Sequence, residues 1–355
     1  MTVFLSKKNQ SWSFENDLAF ILDSTKDVFM SLNNAHIFVS GGSGFIGKWL
    51  LESLKYANSN LKLNIKATVL TRSIKKFKLN TSHFFSQSQF NFIEGDVVNF
   101  KSDDMNYTHI IHAATDASAF LNENNPKLMF ETIVNGTKHM LDFAVKKKIK
   151  KFLYLSSGAV YGQQPFDVER IKEDFQGAPD CNQPRNVYAE GKRAAEMLCA
   201  IYSKQFGLDI AIARIFALLG PYISLDIHFA AGNFIKDAMQ GKKIEIKGNG
   251  KPYRSYLYVT DLIIWLWHML QRAKSNRPYN VGSDESVSIE DLASRISLIL
   301  GNVGYEVLGK KDFGWNLGRY VPDTSLIKRE LNLKKTVSLE DAILRTAIWN
   351  GWKSR

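Results

Sequence analysis

Residues 36–47 read HIFVSGGSGFIG, and KWLLESLKYA follows directly at 48–57. The first five residues are rich in β-formers and the second stretch has a helical composition, so the glycines lie in a strand-to-helix turn. Gly41 suits a tight turn, Gly44 lets backbone N–H groups approach a pyrophosphate, and Gly47 permits close packing of helix on strand. The helix would point its positive N-terminal end at the anion. This order predicts a dinucleotide-binding unit and makes an ordinary glycine-rich turn the weaker interpretation.

Short β-rich runs alternate with helical stretches as far as about residue 219. In chain order the runs read HIFVS, NIKATVL, FNFIEG, HIIHAA, KFLYLS and LDIAIARI. The segments between them are long enough to be crossovers. The alternation therefore predicts an α/β fold, with a Rossmann-like doubly wound parallel sheet and helices on both faces.

The chain of 355 residues exceeds the usual size of one hydrophobic core, and we expect three parts. Residues 1–33 are predicted to be an N-terminal helical extension, and 34–219 the dinucleotide-binding domain. In 220–355 glycine and proline interrupt the alternation, which indicates mainly a smaller C-terminal α/β substrate domain, with some segments free to return to the first. The apolar face of the N-terminal helix is formed by Phe14, Leu18, Ile21 and Leu22.

The 46 Lys+Arg against 35 Asp+Glu give a net charge of +11, which suits nucleic acid, an anionic membrane or phosphate-bearing small molecules. Lysine runs such as 146–148 are more simply solvated helix ends, so we expect no nucleic-acid partner. Only Cys181 and Cys199 occur, which favours a reduced, cytoplasmic setting. The most apolar stretch, Leu262 to Leu270, falls far short of the roughly 20 residues that cross a membrane, so no membrane partner is expected. No metal site is expected either.

The Gly41-x-x-Gly44-x-x-Gly47 spacing resembles that of the extended short-chain dehydrogenase/reductase family, whose members mostly modify nucleotide-activated sugars. Further landmarks of that family follow in order over roughly residues 35–345. They are Gly95-Asp96-Val97, His112-Ala113-Ala114, Ser156-Ser157-Gly158-Ala159-Val160-Tyr161-Gly162, Tyr188-Ala189-Glu190-Gly191-Lys192, Arg214-Ile215-Phe216, Gly220-Pro221, Arg254-Ser255-Tyr256-Leu257-Tyr258-Val259-Thr260-Asp261 and Tyr279-Asn280-Val281-Gly282.

The resemblance implies a cofactor site built from the glycine loop and three strand ends. Its acid on the third strand would bind the adenine amino group, and the HAA strand end would lie beside the nicotinamide. The implied cofactor-binding residues are Gly41, Gly44, Phe45, Ile46, Gly47, Thr71, Arg72, Asp96, Val97, His112, Ala113, Ala114, Tyr188 and Lys192.

Tyr188 and Lys192 are four residues apart in a helical stretch, so both project from one face. An ammonium near a phenol would lower its pKa from about 10 toward the range of a general base. Ser157 follows the strand KFLYLS, at the edge where such sheets bind ligands, and could hold the substrate oxygen. Each feature alone is common, but their joint order favours a catalytic set of Ser157, Tyr188 and Lys192.

The end of the second strand determines the choice of cofactor. An acid there would bind the ribose 2′-hydroxyl of NAD, but the sequence continues Thr71-Arg72-Ser73. Arg72 could pair with a 2′-phosphate, which favours NADP over NAD. Stacking of Arg72 on the adenine, or its solvation, is the alternative.

The substrate implied by the resemblance is a nucleotide-activated sugar. Arg254 and Arg319 occupy positions similar to those that hold its pyrophosphate, although either could be a surface arginine, and Thr115 joins Ser157 as a substrate-binding candidate. Ala217 and Ile133 replace asparagines that the family often has. The resemblance also implies a homodimer formed by two helices, around 126–147 and 186–206.

Sugar 4,6-dehydratases of the family carry an Asp-Glu pair after the serine or threonine, and sugar-acid decarboxylases carry a carboxylate there, but this chain has Gly158-Ala159. The expected reaction is therefore reversible oxidation and reduction at a sugar carbon. The first interpretation is an epimerase that oxidises C4 transiently, and the second is an NADPH-dependent 4-ketosugar reductase. A third is a non-catalytic dinucleotide sensor or RNA-associated protein, against which Ser157, Tyr188 and Lys192 argue.

Overall fold

The computed structural model describes residues 12–115, 119–225, 230–309 and 318–353, except for the side chains of Asn80 and Ala119. These residues form fourteen strands: β1 (His36–Ser40), β2 (Lys66–Thr71), β3 (Phe90–Glu94), β4 (His109–His112), β5 (Lys151–Ser157), β6 (Ile210–Ile215), β7 (Leu218–Leu219), β8 (Ile244–Ile246), β9 (Tyr253–Arg254), β10 (Leu257–Tyr258), β11 (Arg277–Val281), β12 (Val287–Ser288), β13 (Tyr305–Val307) and β14 (Arg319–Tyr320).

They also form eleven α-helices: α1 (Phe14–Ser31), α2 (Phe45–Leu61), α3 (Ile74–Phe85), α4 (Ala119–Asn124), α5 (Pro126–Lys146), α6 (Val187–Phe206), α7 (Ala230–Met239), α8 (Val259–Arg272), α9 (Ile289–Ile299), α10 (Ser325–Leu331) and α11 (Leu339–Trp349). Two short 3₁₀ helices lie at Gly158–Tyr161 and Pro184–Asn186.

Seven parallel strands form the main sheet in the order β11-β6-β5-β4-β1-β2-β3. The order reverses direction at β1, so the carboxyl ends of β1 and β4 border the crevice in which such sheets bind ligands. The predicted doubly wound parallel sheet is confirmed. The edge strand of this sheet, β11, comes from the region 220–355.

The sheet is buried on both faces. Ile37 and Val39 of β1 belong to one core, which includes α1, α2 and α8, while Phe38 belongs to the other, under α5 and α6. Strands that are covered on both sides have continuous apolar runs, which is why HIFVS shows no polar alternation.

The region predicted to be an N-terminal helical extension contains α1, which packs against α2 and α8. Ser13 Oγ accepts a hydrogen bond from Asn16 N at 3.1 Å and begins the helix. Its buried Asp17 accepts hydrogen bonds from Tyr258 Oη at 2.5 Å and Arg345 Nη1 at 2.8 Å. This contact with α11 was not predicted from the sequence.

The remaining strands make three small sheets, ordered β10-β7, β12-β9-β14 and β13-β8. The three-stranded sheet places Arg319 opposite Tyr253 and Tyr320 opposite Arg254. Over the described ranges no helix combines the length and apolar character needed to cross a membrane.

Candidate active site

The glycine loop packs so closely that side chains could not replace two of its glycines. Gly41 has φ 75°, and a Cβ there would lie 2.6 Å from the carbonyl carbon of Ala113. A Cβ on Gly47 would lie 2.4 Å from the Cα of Gly42. The cap residue of α2 is Gly44, which makes no side-chain cap, and no acid lies in the first turn. This bare helix start beside a tight loop fits a dinucleotide pyrophosphate.

The ends of β2 and β3 carry opposite charges. Arg72 is exposed after β2, and Ser73 Oγ caps α3 by accepting from Lys76 N at 3.3 Å. Glu94, which ends β3, accepts a hydrogen bond from Ile74 N at 2.7 Å. An acid therefore lies at the start of α3, next to the arginine proposed for a 2′-phosphate. Sequence reasoning missed Glu94, although its position two residues before Asp96 marked it as a strand end.

Asp96 and Val97 follow β3 as expected. Asp96 is exposed, and its Oδ1 accepts a hydrogen bond from Val98 N at 3.0 Å. Val97 is buried against α5, where a Cβ on Gly136 would lie 2.8 Å from Val97 Cγ1. The aspartate therefore faces solvent at the sheet edge while the valine fixes the loop.

His112, the last residue of β4, is buried and links β1 to α5 through its two ring nitrogens. Its Nδ1 is 2.7 Å from Ser40 Oγ and its Nε2 is 3.1 Å from Thr137 Oγ1. Burial, together with the charge of Lys192, lowers the pKa of His112 to about 3, so the ring stays neutral at ordinary pH. It therefore holds the following Ala113-Ala114 segment in place and is not a proton carrier.

Lys192 lies buried on α6 with two defined acceptors. Its Nζ donates to Leu155 O at 2.7 Å and to Thr115 Oγ1 at 2.9 Å. Burial lowers the pKa of Lys192 to about 7, and the carboxylate of Glu196 opposes that shift. The predicted substrate-binding residue Thr115 thus contacts the lysine.

The predicted lowering of the Tyr188 pKa is wrong for the protein alone. Burial raises the pKa of this phenol, and only a hydrogen bond with Ser157 opposes the rise. The physical reason is burial, which disfavours the charged phenolate, while the Lys192 ammonium is engaged by Leu155 O and Thr115 Oγ1. Tyr188 and Lys192 nevertheless share one face of α6, as expected.

Ser157 is the last residue of β5, and its hydroxyl group contacts those of Tyr188 and Tyr320. Its Oγ accepts from Ala159 N at 3.1 Å and lies 3.5 Å from Tyr320 Oη. The adjacent Gly158 has no room for a side chain, since a Cβ there would lie 2.5 Å from Phe216 Cζ. The structure therefore brings Ser157 and Tyr188 together, and adds Tyr320. The sequence analysis identified the preceding residue, Arg319, but not Tyr320.

Arg254 and Arg319 lie on adjacent strands of the small sheet. Arg254 Nη1 donates to Tyr253 O at 2.8 Å and Gly318 O at 2.7 Å. The guanidinium carbon of Arg319 is 4.4 Å from the Tyr253 ring centroid, and its buried Nε has no hydrogen-bond partner within the described part of the chain. The two predicted arginines thus lie on neighbouring strands but at alternate positions, Arg319 opposite Tyr253 and Arg254 opposite Tyr320.

A partly buried ion pair lies next to the site. Arg214 Nη2 lies 2.7 Å from Glu196 Oε2, and Glu196 Oε1 accepts from Ser156 Oγ at 2.5 Å. Arg214 Nη1 also donates to Tyr161 Oη at 2.9 Å. Sequence reasoning missed Glu196, although it lies four residues after Lys192 on the same helical face.

Among the described residues, no carboxylate hydrogen-bonds with Ser157. Glu190 and Asp116 are the carboxylates, nearby in the sequence motifs, that could take the place of an acid at Gly158-Ala159. Glu190 Oε2 is 3.7 Å from Arg193 Nε on the same helix, and Asp116 falls outside the described residues. Within the described ranges, no three His, Cys, Asp or Glu side chains cluster as a metal site would require.

Comparison with known proteins supports this picture. A model of the NAD-dependent epimerase/dehydratase family matches residues 37–282. UDP-glucuronic acid decarboxylase 1 of Xenopus tropicalis is 30% identical over 310 residues, which are 87% of this chain and 70% of that protein. The Arabidopsis thaliana decarboxylase 1 is 30% identical over 309 residues, 87% of this chain and 68% of the relative.

Two solved structures share the fold. UDP-glucuronic acid 4-epimerase from Bacillus cereus, in complex with NAD, is 25% identical with a TM-score of 0.74, covering 88% of this chain and 96% of that one. dTDP-glucose 4,6-dehydratase from Bacillus anthracis, also with NAD, is 21% identical with a TM-score of 0.74, covering 89% and 96%. The second likeness shows the fold alone.

Proposed function

The chain belongs to the NAD-dependent epimerase/dehydratase family, and from that premise we propose that it is a nucleotide-sugar epimerase acting by transient oxidation at C4. The observation that supports this most is the set of residues at the end of β5. Ser157, Tyr188 and Lys192 meet there, whereas Gly158 and Ala159 supply no carboxylate. Such a site can move a proton on and off one sugar oxygen.

The protein's own groups divide this work between them. Ser157 Oγ holds the reacting oxygen, and Tyr188 takes its proton and later returns it. Lys192 is held in place by hydrogen bonds to Leu155 O and Thr115 Oγ1, and it supplies a positive charge near the Tyr188 phenol. A bound nicotinamide would accept and return the hydride. The configuration at C4 inverts when the ketosugar presents its other face before reduction.

Arg254 and Arg319 are proposed to hold the sugar nucleotide's pyrophosphate. They lie on adjacent strands, and the buried Arg319 Nε has a hydrogen to donate. A guanidinium group matches phosphate oxygens in geometry and charge.

Decarboxylation, the reaction in the names of the similar Xenopus and Arabidopsis proteins, is not what we propose here. Decarboxylases and dehydratases of the family both carry a carboxylate at the positions that Gly158 and Ala159 occupy in this chain. At the first of these positions Phe216 fills the space. Loss of a general acid or base typically costs about 10² to 10⁴ in rate.

A second candidate is an NADPH-dependent reductase of nucleotide 4-ketosugars, because Arg72 lies where an acid would select NAD. The exposed Arg72 follows β2 and could pair with a 2′-phosphate. An epimerase keeps its cofactor through each cycle, whereas a reductase releases it. The non-catalytic alternative remains the least supported, because a sensor would not need the Ser157, Tyr188 and Lys192 set.

We also propose a homodimer formed by α5 and α6, which contact each other. Large apolar side chains stay exposed on both helices in the monomer. They are Leu128, Phe130, Met197, Ile201 and Phe206. Paired helices from two copies would bury these side chains.

The test begins with mass analysis of the nucleotide retained by the purified protein. The protein is then incubated with UDP-glucose or UDP-glucuronic acid and followed by proton NMR. A new C4 epimer of unchanged mass supports the epimerase. NADPH oxidation with dTDP-4-keto-6-deoxyglucose, and no epimer, would favour the reductase instead. A 4-keto-6-deoxy product from dTDP-glucose that disappears in Asp116→Asn would show that our choice of reaction is wrong.

A further inference from the structure

Tyr320 reaches the candidate reaction centre from a distant part of the chain, 163 residues after Ser157. Its hydroxyl oxygen lies 3.5 Å from Ser157 Oγ and 3.5 Å from the carbonyl oxygen of Ile215. The residue ends β14, which pairs with β9 and places Tyr320 opposite Arg254. The small sheet therefore brings a third hydroxyl group to the edge where Ser157 and Tyr188 meet.

Packing fixes the ring that carries this hydroxyl. The ring centroids of Tyr320 and Phe216 are 4.6 Å apart, with 36° between their planes. The next residue, Val321, is fully buried, and its N–H donates to Gln164 Oε1 at 2.9 Å. Because the ring is packed and the following backbone is bonded, the position of the hydroxyl is set by the fold.

Ser157 Oγ can accept one more hydrogen bond than the one it receives from the backbone. A serine hydroxyl has one proton to give and two lone pairs to accept with. Ala159 N already donates to Ser157 Oγ at 3.1 Å. Tyr320 has one proton, for which Ile215 O and Ser157 Oγ compete at equal distances of 3.5 Å. Given to Ser157, that proton would fill the second lone pair, and the serine proton would then be available only to an acceptor on the open side.

The Tyr320 phenol can serve as that donor throughout the working pH range. Burial raises its pKa, the neighbouring Tyr188 raises it further, and the charge of Arg254 lowers it. A hydrogen bond donated by Ser157 lowers this pKa, whereas one donated to Ser157 favours the protonated phenol. The net result is a phenol that stays protonated above neutral pH. It can therefore donate under conditions in which Tyr188 is required to accept.

Resting on the proposed function, we propose that Tyr320 is a positioning residue. It donates to Ser157 Oγ and so directs the serine proton to the sugar oxygen from which Tyr188 removes a proton. Tyr320 then acts through Ser157 and need not touch the sugar.

A double-mutant cycle tests this dependence. We expect Tyr320→Phe to lower kcat about tenfold with KM for the sugar nucleotide within about twofold, as suits loss of one oriented hydrogen bond. In a Ser157→Ala background the same change should have no further effect. Tyr305→Phe, which removes a hydroxyl from β13, is the control and should match wild type. The proposal would be overturned if the two substitutions lowered kcat independently, so that the double variant showed the product of the two decreases. It would also be overturned if Tyr320→Phe raised KM and left kcat unchanged.

A titration without sugar separates this proposal from the function. Carbon-13 labelling at tyrosine Cζ reports ionisation of Tyr188 in the protein loaded with its dinucleotide, and Tyr188→Phe assigns the signal. Because a Ser157 hydrogen bond lowers the Tyr188 pKa, both Tyr320→Phe and Ser157→Ala should raise it, and the double variant no further. If the wild-type protein shows no turnover, the proposed function is wrong. If Tyr320→Phe leaves the pKa of Tyr188 unchanged, the proposed role of Tyr320 is wrong.

Discussion

The ring of Phe216 fills the space into which a side chain at Gly158 would project, since a Cβ there would lie 2.5 Å from Phe216 Cζ. We expect Gly158→Asp to lower the free energy of unfolding by about 1–3 kcal/mol, because the ring is packed against Tyr320 and cannot yield easily. Ala159→Asp, which adds the same carboxylate one residue later at a half-buried position, is the matched control and should be less costly. Urea denaturation measures both, and equal losses would contradict the steric argument.

Tyr188→Phe should reduce turnover by roughly 10²-fold or more, the usual scale for losing a general acid–base group. Dinucleotide affinity should remain close to that of wild type, since the phenol contributes one contact among many. Steady-state kinetics and calorimetric titration with the cofactor provide the two measurements. Tyr202→Phe removes a hydroxyl from the same helix, where it bonds to Asp142, and should leave turnover unchanged. Near-normal rates in Tyr188→Phe would remove the assignment.

Lys192 should make stability depend on pH in a direction fixed by its depressed pKa. Burial lowers this pKa from 10.5 to about 7, so between these values the unfolded chain binds more protons than the folded chain. The lysine's contribution to stability therefore falls as pH drops from 10.5 to about 7, and rises by at most about 1.4 kcal/mol per pH unit in the other direction.

Lys192→Met removes that dependence and also abolishes activity. The free energy of unfolding of wild type relative to Lys192→Met should increase between pH 7 and pH 9, as measured by urea denaturation at each pH. A constant difference would show that Lys192 is not depressed in the folded protein. Lys204→Met, at an exposed position of the same helix, is the control, and its difference from wild type should stay constant.

Arg72→Asp should shift the ratio of NADP to NAD affinities toward NAD, because aspartate repels a 2′-phosphate and accepts from a 2′-hydroxyl. Glu94→Gln should act in the opposite direction by removing the negative charge at Ile74 N. Dissociation constants for both dinucleotides, measured by calorimetry, decide the matter. A wild type that already prefers NAD would show that the interpretation of Arg72 is wrong.

The proposed dimer predicts that Met197→Glu gives a monomer. Met197 is 62% exposed on α6, and a carboxylate there would be buried without a partner in the dimer. Leu298→Glu, at a residue of α9 that is 68% exposed, is the control and should leave the mass unchanged. Light scattering at micromolar concentration measures both, and monomeric wild type would rule out the dimer.

Local pattern was enough to predict the sheet and the face shared by Tyr188 and Lys192. The run HIFVS is apolar because Ile37 and Phe38 face different cores, and a spacing of four residues on a helix fixes a common face. Tyr320 could not be found in this way, because it meets Ser157 only through pairing of β14 with β9. The wrong pKa direction for Tyr188 has a similar origin, since sequence spacing does not reveal burial.

The contacts of α1 have a consequence for folding during synthesis. The hydrogen bonds of Asp17 can form only after Tyr258, 241 residues later, and Arg345, 328 residues later, have been synthesised. Of the helices that cover it, α2 emerges early from the ribosome, but α8 emerges only after most of the chain has been made. Of the described helices, α1 is made first but is among the last to be fully buried. Until then its Leu18, Ile21 and Phe29 form an exposed apolar surface on the nascent chain, which is prone to aggregation.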